Sequence, residues 1–508
     1  MDTLQTFAGG FLPLLDPYIL GFMVAGFLIG TFFGAMPGLT SVLAIALLLP
    51  ITYSIDIVPA LVMSASIFMA GMYSGSITAT TINIPGAPSS MMTAIEGNKL
   101  MQQGKGANAL GHAALGSMIG GSLGALALMA FMPVAAQITL LIRTPGKFSL
   151  VLFALVVIIA VDKGAIAKGV VAAVLGIMLA TIGIDVIQPI PRFNFGTEVL
   201  VEGIDIMPIV IGAFAVSEVL VQAQTWDLSL EKTLERAKSL RVRRRDFIPP
   251  LSEVREIGFL TYLKSSVIGY AIGMLPGAGG SMAAFVSYAT ARGTSKKPEE
   301  YGHGSRQGIA AAETGNNAMC GGAFVPMLMF GIPGDPTTAV VLGVLVINGL
   351  QPGPRLLEQQ ADLIAPMIAS LFISALILIP LSLFLLGPYF VRIVSIPKGL
   401  LYSSIAVVAL VGSYVATYSA FQMGLAVGFG VLAYVMRKEG YSTVSLLLGF
   451  ILGPDLEQYF RRSLSLSDGN PMIFLTSPDS LFFLALTAVF TYAILFRKRK
   501  PVDLKSLS

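Results

Sequence analysis

Side chains able to do covalent or metal chemistry are scarce in this sequence of 508 residues. It holds one cysteine, Cys320, and two histidines, His112 and His303, in different contexts. A single thiol excludes an intramolecular disulfide and a cysteine-based metal cluster. No clustered His/Asp/Glu set and no nucleophile beside a base is legible, so a membrane-embedded enzyme such as a lipid-modifying transferase has little to build on. The message is carried instead by glycines, prolines and small hydroxyls, in phrases written twice. Gly30 to Gly38 reads G-T-F-F-G-A-M-P-G and Gly269 to Gly277 reads G-Y-A-I-G-M-L-P-G. Some fifty residues beyond each copy comes a second shared phrase, Asn83-Ile84-Pro85-Gly86-Ala87-Pro88-Ser89-Ser90 and then Gly331-Ile332-Pro333-Gly334-Asp335-Pro336-Thr337-Thr338.

The chemistry these phrases offer is ion binding by backbone ends. Proline inside a helix removes a donor and clashes with the preceding turn, and the following glycine accepts conformations other residues resist. Each helix must therefore break at Pro37-Gly38, Pro85-Gly86, Pro276-Gly277 and Pro333-Gly334. In lipid such breaks persist only where the freed groups are buried in protein or line a polar cavity, and helix N-termini attract anions. The expected substrate site joins these pairs with Thr40, Ser41, Ser89, Ser90, Gly279, Gly280, Ser281, Thr337 and Thr338; the alternative is that the hydroxyls only cap helices. Asn83, Asn316, Asn317 and the carbonyls ahead of the four prolines suit a hard cation such as sodium. Glu313 joins them if it lies at membrane depth, and is merely solvated if it lies near the cytoplasmic end. Asp335 is either an ion ligand or a helix N-cap.

Composition says what must position these groups. The chain is 55% hydrophobic and 12% charged, with a mean hydropathy of +0.80, which is the profile of an all-α polytopic membrane protein. Its 54 glycines and 23 methionines suit closely packed membrane helices. A net charge of +4, placed mainly in loops, marks orientation and not a nucleic-acid partner. No cleavable signal peptide is legible at the start.

Along the chain, Tyr18 to Tyr53 reads as a re-entrant hairpin with its tip at Pro37-Gly38, each arm shorter than a spanning helix. The alternative is one kinked crossing followed by a short surface helix. Residues 59–90 form a broken helix leading to a polar loop with Lys99 and Lys105. Crossings follow at Ala107 to Leu141, Phe148 to Val161, Gly169 to Gly183 and Ile204 to Val221, ahead of the basic stretch Lys232 to Arg245, which stays inside. Ile257 to Thr290 is a second hairpin, 309–347 a second broken helix, and further crossings run at Leu363 to Leu386, Leu400 to Val415, Gln422 to Met436, Val444 to Leu452 and Ser480 to Phe496. That makes about 11 crossings plus two hairpins. The five crossings between the hairpins invert the second relative to the first, so residues 1–225 and 257–500 form two inverted-topology repeats around a basic linker, 226–256, with a polar tail, 501–508. The N-terminus is placed outside and the C-terminus, after Arg497 to Lys500, inside. Arg437 and Lys438 also fit the inside. Arg461 and Arg462 fall outside, where either the last crossings are misassigned or these arginines face an anion or a partner.

The set Gly34-x-x-Pro37-Gly38-Leu39, Tyr73-x-Gly75-Ser76-Ile77-Thr78 running into Asn83-Ile84-Pro85-Gly86-x-Pro88-Ser89-Ser90, Leu275-Pro276-Gly277-x-Gly279-Gly280, Glu313-x-x-Asn316-Asn317-Ala318 and Gly331-Ile332-Pro333-Gly334 resembles the large membrane subunit of tripartite tricarboxylate transporters. The resemblance covers nearly the whole chain. It implies a bacterial inner-membrane permease working with a small four-helix membrane subunit and a periplasmic substrate-binding protein. It further implies uptake of carboxylates, citrate-like in the best-known members, by symport with an ion, usually sodium, with protons as the alternative, and no cofactor. A channel whose filter is built from the Pro-Gly breaks is the reading from another class. A homo-oligomer is compatible with the sequence.

Overall fold

The computed structural model describes residues 8–161, 166–224, 243–389 and 398–496. These are helical throughout except for loops and one two-residue antiparallel pairing of Gly183–Ile184 with Pro191–Arg192, as an all-α membrane protein requires. The first hairpin is α1 (Pro17–Ala35) and α2 (Ser41–Tyr53), followed by α3 (Ile57–Ile82) and α4 (Met91–Gln102). Next come α5 (Gly106–Leu141), α6 (Thr144–Val161), α7 (Ile166–Ala180) and α8 (Ile206–Gln224), the last widened by a π-turn at Ile211–Val216. The second hairpin is α9 (Phe259–Gly273) and α10 (Gly279–Thr294), followed by α11 (Arg306–Phe330) and α12 (Pro336–Ile347). The chain continues through α13 (Ala361–Tyr389), α14 (Lys398–Thr417), α15 (Ala420–Lys438), α16 (Thr443–Leu466) and α17 (Pro478–Phe496). Among the described residues six helices are long and apolar enough to cross a membrane, namely α1, α3, α5, α8, α13 and α15, and shorter apolar helices accompany them.

The breaks fall where proline and glycine demand them. Both hairpin tips turn on a glycine with positive φ, Gly38 at 87° and Gly277 at 72°. Both second phrases begin with a left-handed residue that ends the preceding helix, Asn83 at φ 57° after α3 and Gly331 at φ 67° after α11. Asparagine tolerates that conformation better than other side-chain-bearing residues, so the two phrases make the same turn with different letters.

The repetition extends to packing. A Cβ added at Gly30 would lie 2.5 Å from the Ile67 carbonyl oxygen, and one at Gly269 would lie 2.1 Å from that of Gly315. Ile67 and Gly315 each stand sixteen residues before the left-handed cap of their phrase. One turn further on, Gly34 meets the Gly71 carbonyl and Gly273 that of Met319, each at 2.4 Å. Gly86 would in turn touch the Gly34 carbonyl at 2.1 Å, and Gly334 that of Gly273 at 2.5 Å. Thus α1 runs parallel to α3, and α9 parallel to α11. Across the middle, Asn316 donates to the Met72 carbonyl at 3.2 Å while Phe324 packs on Phe68, so α3 and α11 run in opposite directions.

Several expectations change. At 19 residues, α1 is long enough to cross the membrane, unlike the 13-residue α2, because Pro17 and the Asp16 cap start it before the apolar run. The surface-helix alternative for α2 fails, since Ala44, Ile45, Ala46 and Leu49 are completely buried. Lys99 lies on α4, not in a loop; α4 forms because Glu96 is buried and accepts hydrogen bonds from Gly302, Gly304 and Ser305 amides and the Tyr288 hydroxyl, at 2.6–2.9 Å. The crossing expected to end at Leu452 continues in α16 to Leu466, past Pro454. Its polar half finds partners. Arg461 binds Asp185 at 2.6 Å and Glu457 at 2.9 Å, while Arg192 grips Glu457 through both guanidinium nitrogens at 2.7 Å. Arg461 therefore faces carboxylates of its own chain and not a foreign anion, and the α7–α8 loop is clamped. Residues 225–242, which include most of the basic stretch Lys232 to Arg245, and the terminal residues 497–508 lie outside the described residues.

Gly269→Val should separate α9 from α11, costing about 1–3 kcal/mol or more. Gly424→Ala, where nothing lies within 4 Å of an added Cβ, should be neutral or stabilising; thermal melts of the detergent-purified protein check both. Asp185 accepts the amides of Gln188 and Ile187 as well as Arg461, which holds its carboxyl well below the usual range. A depressed folded pKa gives stability that is present above the unfolded value and lost as pH falls toward the folded one. The melting-temperature deficit of Asp185→Asn should accordingly stay constant from about pH 8 to about pH 5 and shrink only in stronger acid.

Candidate functional site

The four interruptions meet. One cavity of about 480 Å³ is lined by the first hairpin tip (Gly38, Thr40, Ser41), the phrase after α3 (Ala87, Pro88, Ser89), the second tip (Gly277 to Ser281) and the phrase after α11 (Asp335 to Thr337). That volume lies within the range of about 300–1,000 Å³ usual for small-molecule sites. Four helix N-termini border it, those of α2, α10, α12 and α16, so partly positive backbone ends converge there. Thr40 caps α2, its hydroxyl accepting from the Leu43 amide at 3.4 Å. Asp335 caps α12 in a reciprocal box: its carboxylate accepts from the Thr337 amide at 2.7 Å while its own amide donates to Thr338 Oγ1 at 3.0 Å. Asp335 Oδ2 also stands 3.1 Å from where a Cβ on Gly279 would lie, so the second tip packs against the start of α12.

Other expected residues stand behind the wall. Pro37, Pro85, Gly86, Pro276, Pro333, Gly334 and Thr338 shape the turns without lining the hollow. Ser90 is buried in the short turn ahead of α4. Asn83 is placed elsewhere: exposed, it ends α3 and does not reach the cavity, because its left-handed backbone is what the turn uses. Glu313, Asn316 and Asn317 are fully buried on α11, so Glu313 is not the solvated end residue of the alternative reading. Thr93 and Ser117 donate to Glu313, the latter at 3.4 Å, and Asn317 Nδ2 donates to Ser117 Oγ at 2.8 Å. Asn316 Oδ1 faces the cavity wall, since a Cβ added at Gly280 would meet it at 2.5 Å and the Ser89 Cβ at 3.1 Å. Asn316 Oδ1, Asn317 Oδ1, Ser89 Oγ and Ser90 Oγ are buried oxygens with no hydrogen-bond partner among the described residues.

The cavity also takes residues that no repeated phrase announces. Met72, Ile158, Phe214, Glu218, Arg437, Thr443 and Val444 complete its wall. Ile158 packs under the second tip, 2.6 Å from where a Cβ on Gly277 would stand. Arg437 reads in the sequence as an orientation marker, and the one available signal of another role is an acidic residue, Glu218, on a separate apolar helix.

Paired helix interruptions around one shared cavity define a polytopic membrane protein of the transporter class. The chain belongs to the tripartite tricarboxylate transporter TctA family, whose model matches residues 20–448. It is 35% identical over 486 residues, covering 96% of this chain and 95% of the relative, to an uncharacterized 52.8 kDa protein in the TAR-I ttuC' 3'region of Agrobacterium vitis. A second protein of that organism, from the TAR-II ttuC' 3'region, is 37% identical over 221 residues, covering 44% of this chain and 91% of that protein. No solved structure matches.

If the tips share one hollow, Thr40→Cys and Ser281→Cys, each with Cys320 replaced by serine, should both react with a polar maleimide. The buried Cys320 of the parent should stay unlabelled. Mass spectrometry of the labelled protein reads the result, and an inert Ser281→Cys would separate the second tip from the hollow.

Proposed function

We propose that this chain is the permease subunit of a binding-protein-dependent importer, carrying tricarboxylates or dicarboxylates across the bacterial inner membrane by symport with an ion, sodium in the first instance. The observation that carries the reading is the single cavity reached by both hairpin tips and both second phrases. The opposed directions of α3 and α11, with like packing on each side, support treating residues 1–225 and 257–500 as inverted repeats about that cavity. We assign the N-terminus to the periplasm and the C-terminus to the cytoplasm, and we assign no catalysis.

In this mechanism substrate carboxylates accept hydrogen bonds from Thr40, Ser41, Ser89, Ser281 and Thr337 and from backbone amides at the helix starts, each good terminus worth about 0.3–2 kcal/mol. Sodium prefers oxygen donors, and the unpartnered Asn316 Oδ1 and Ser89 Oγ, which flank Gly280, fit it. An ion there would draw α11 onto the second tip and so complete the carboxylate site, which is the coupling that symport needs. Glu313, tied to Asn317 through Ser117, would carry the proton if protons replace sodium. The family's tripartite description supports two partners, a small four-helix membrane subunit and a periplasmic binding protein.

The test is uptake of citrate, succinate and malonate into vesicles that hold both membrane subunits, supplied with the binding protein and an inward sodium gradient. Uptake should saturate and collapse when the gradient is removed. Asn316→Ala, Asn317→Ala and replacement of Pro276-Gly277 by two alanines should each cut uptake at least about tenfold, the loss expected for one buried hydrogen-bonding group, while the protein still inserts. Full uptake in these variants would remove them from the site, and non-saturating flux without the binding protein would favour a channel.

A further inference from the structure

Two helices outside the repeated phrases bring opposite charges into the cavity wall. The π-turn of α8 and the middle of α15 touch through glycines. A Cβ at Gly212 would sit 2.4 Å from the Ala426 carbonyl, and one at Gly430 would sit 2.4 Å from Val216 Cγ1. That close approach sets the last turn of α15 beside the C-terminal half of α8, and Arg437 Nη1 lies 2.7 Å from Glu218 Oε2 and 3.5 Å from Ser217 Oγ. Both Arg437 and Glu218 line the cavity, and Arg437 is the one lysine or arginine among its described lining residues.

We propose that Arg437 is the carboxylate receptor of this cavity and that Glu218 holds its place until substrate arrives. This deepens the carboxylate reading above and rests on it. A guanidinium matches a carboxylate through two parallel N–H donors, and this chain builds such a pair in full between Arg192 and Glu457, with both contacts at 2.7 Å. Arg437 meets Glu218 through Nη1 alone. Its remaining nitrogens have no acceptor among the described residues, and its side chain is 36% exposed against 10% for Glu218. Glu218 has a second anchor, since its Oε1 accepts from Gln222 Nε2 at 2.7 Å, so it keeps a partner when the arginine turns away. The other acid in the wall, Asp335, is already engaged as the cap of α12, accepting from the Thr337 amide. An entering carboxylate would therefore exchange with Glu218 at Arg437 while its other carboxylates meet the helix starts across the cavity.

Citrate titrated calorimetrically onto the purified full chain, with succinate and malonate in parallel, tests this. Arg437→Gln should weaken citrate at least about thirtyfold, the cost of truncating one member of a hydrogen-bonded charge pair. Arg437→Lys should recover part of that loss, and Glu218→Gln should bind as tightly as wild type or tighter, because the competitor is gone. The Glu218→Gln/Arg437→Gln double variant leaves no unpaired buried charge and keeps the test open if Arg437→Gln misfolds; it should bind as weakly as the single arginine variant. Wild-type affinity in the double variant overturns the assignment of Arg437 and leaves the carboxylate reading standing. Equal losses in Glu218→Gln and Arg437→Gln identify the pair as a strut and overturn it likewise. Failure of the wild type to bind any of the three acids overturns the carboxylate reading and this proposal together.

Discussion

A helix interrupted inside a membrane leaves amides and carbonyls that lipid cannot satisfy, and this one constraint organises the molecule. At the end of α3 the chain folds back on itself, the Ile84 amide reaching the Thr78 carbonyl at 3.4 Å and the Gly86 amide that of Gly75 at 3.3 Å. At the end of α11 the amides of Gly331 and Ile332 return to Met327 and Pro326 at 3.0 and 3.2 Å. These turns must be enclosed by protein, so α3 and α11 form the buried centre, with Ile67, Phe68, Met319 and Phe324 wholly inaccessible. The hairpin tips complete the enclosure. Both tips reach the cavity together with the two turns.

Enclosure needs close approach, and in a bilayer no hydrophobic force between helices supplies it. Van der Waals contact across glycine surfaces does. Gly120 and Gly124 of α5 put the α11 carbonyls of Thr314 and Ala318 within 2.0 and 2.5 Å of an added Cβ, and Gly269 and Gly273 do the same on the adjoining face of α11, at Gly315 and Met319. Polar side chains then lock the geometry from outside the apolar zone. Glu96 fixes α4 to the turn ahead of α11, and the Asp185, Arg192, Glu457 and Arg461 cluster fixes the α7–α8 loop to α16. His112, buried on α5 and hydrogen bonded to Glu253 at 2.9 Å, adds a contact of the same kind. These hydrogen bonds and ion pairs tie together segments that lie far apart in the chain.

The fold class was legible because hydropathy is additive along a helix, and the breaks were legible because proline and glycine act within one turn. Hence Pro37-Gly38 and Pro276-Gly277 could be read as hairpin tips, and Ser41, Ser89, Ser281 and Thr337 as lining residues, from local chemistry. The same local logic failed where partners are distant. Asn83 was legible as a polar residue beside a break, yet its backbone and not its amide does the work. Helix α16 outruns its apolar segment because Asp185, far away in sequence, waits for Arg461.

By itself, then, the sequence determined that the chain is a membrane protein, where four of its helices break, and that the breaks come in two matched sets, since each follows from residues within a few positions of one another. Only the tertiary structure decided that the sets face one hollow, that Asn316 stands behind Gly280, and that Arg437 and Glu218 share the wall. Those relations depend on glycine contacts between helices as distant in the chain as α8 and α15, and contact across such distances leaves no periodic trace in either segment.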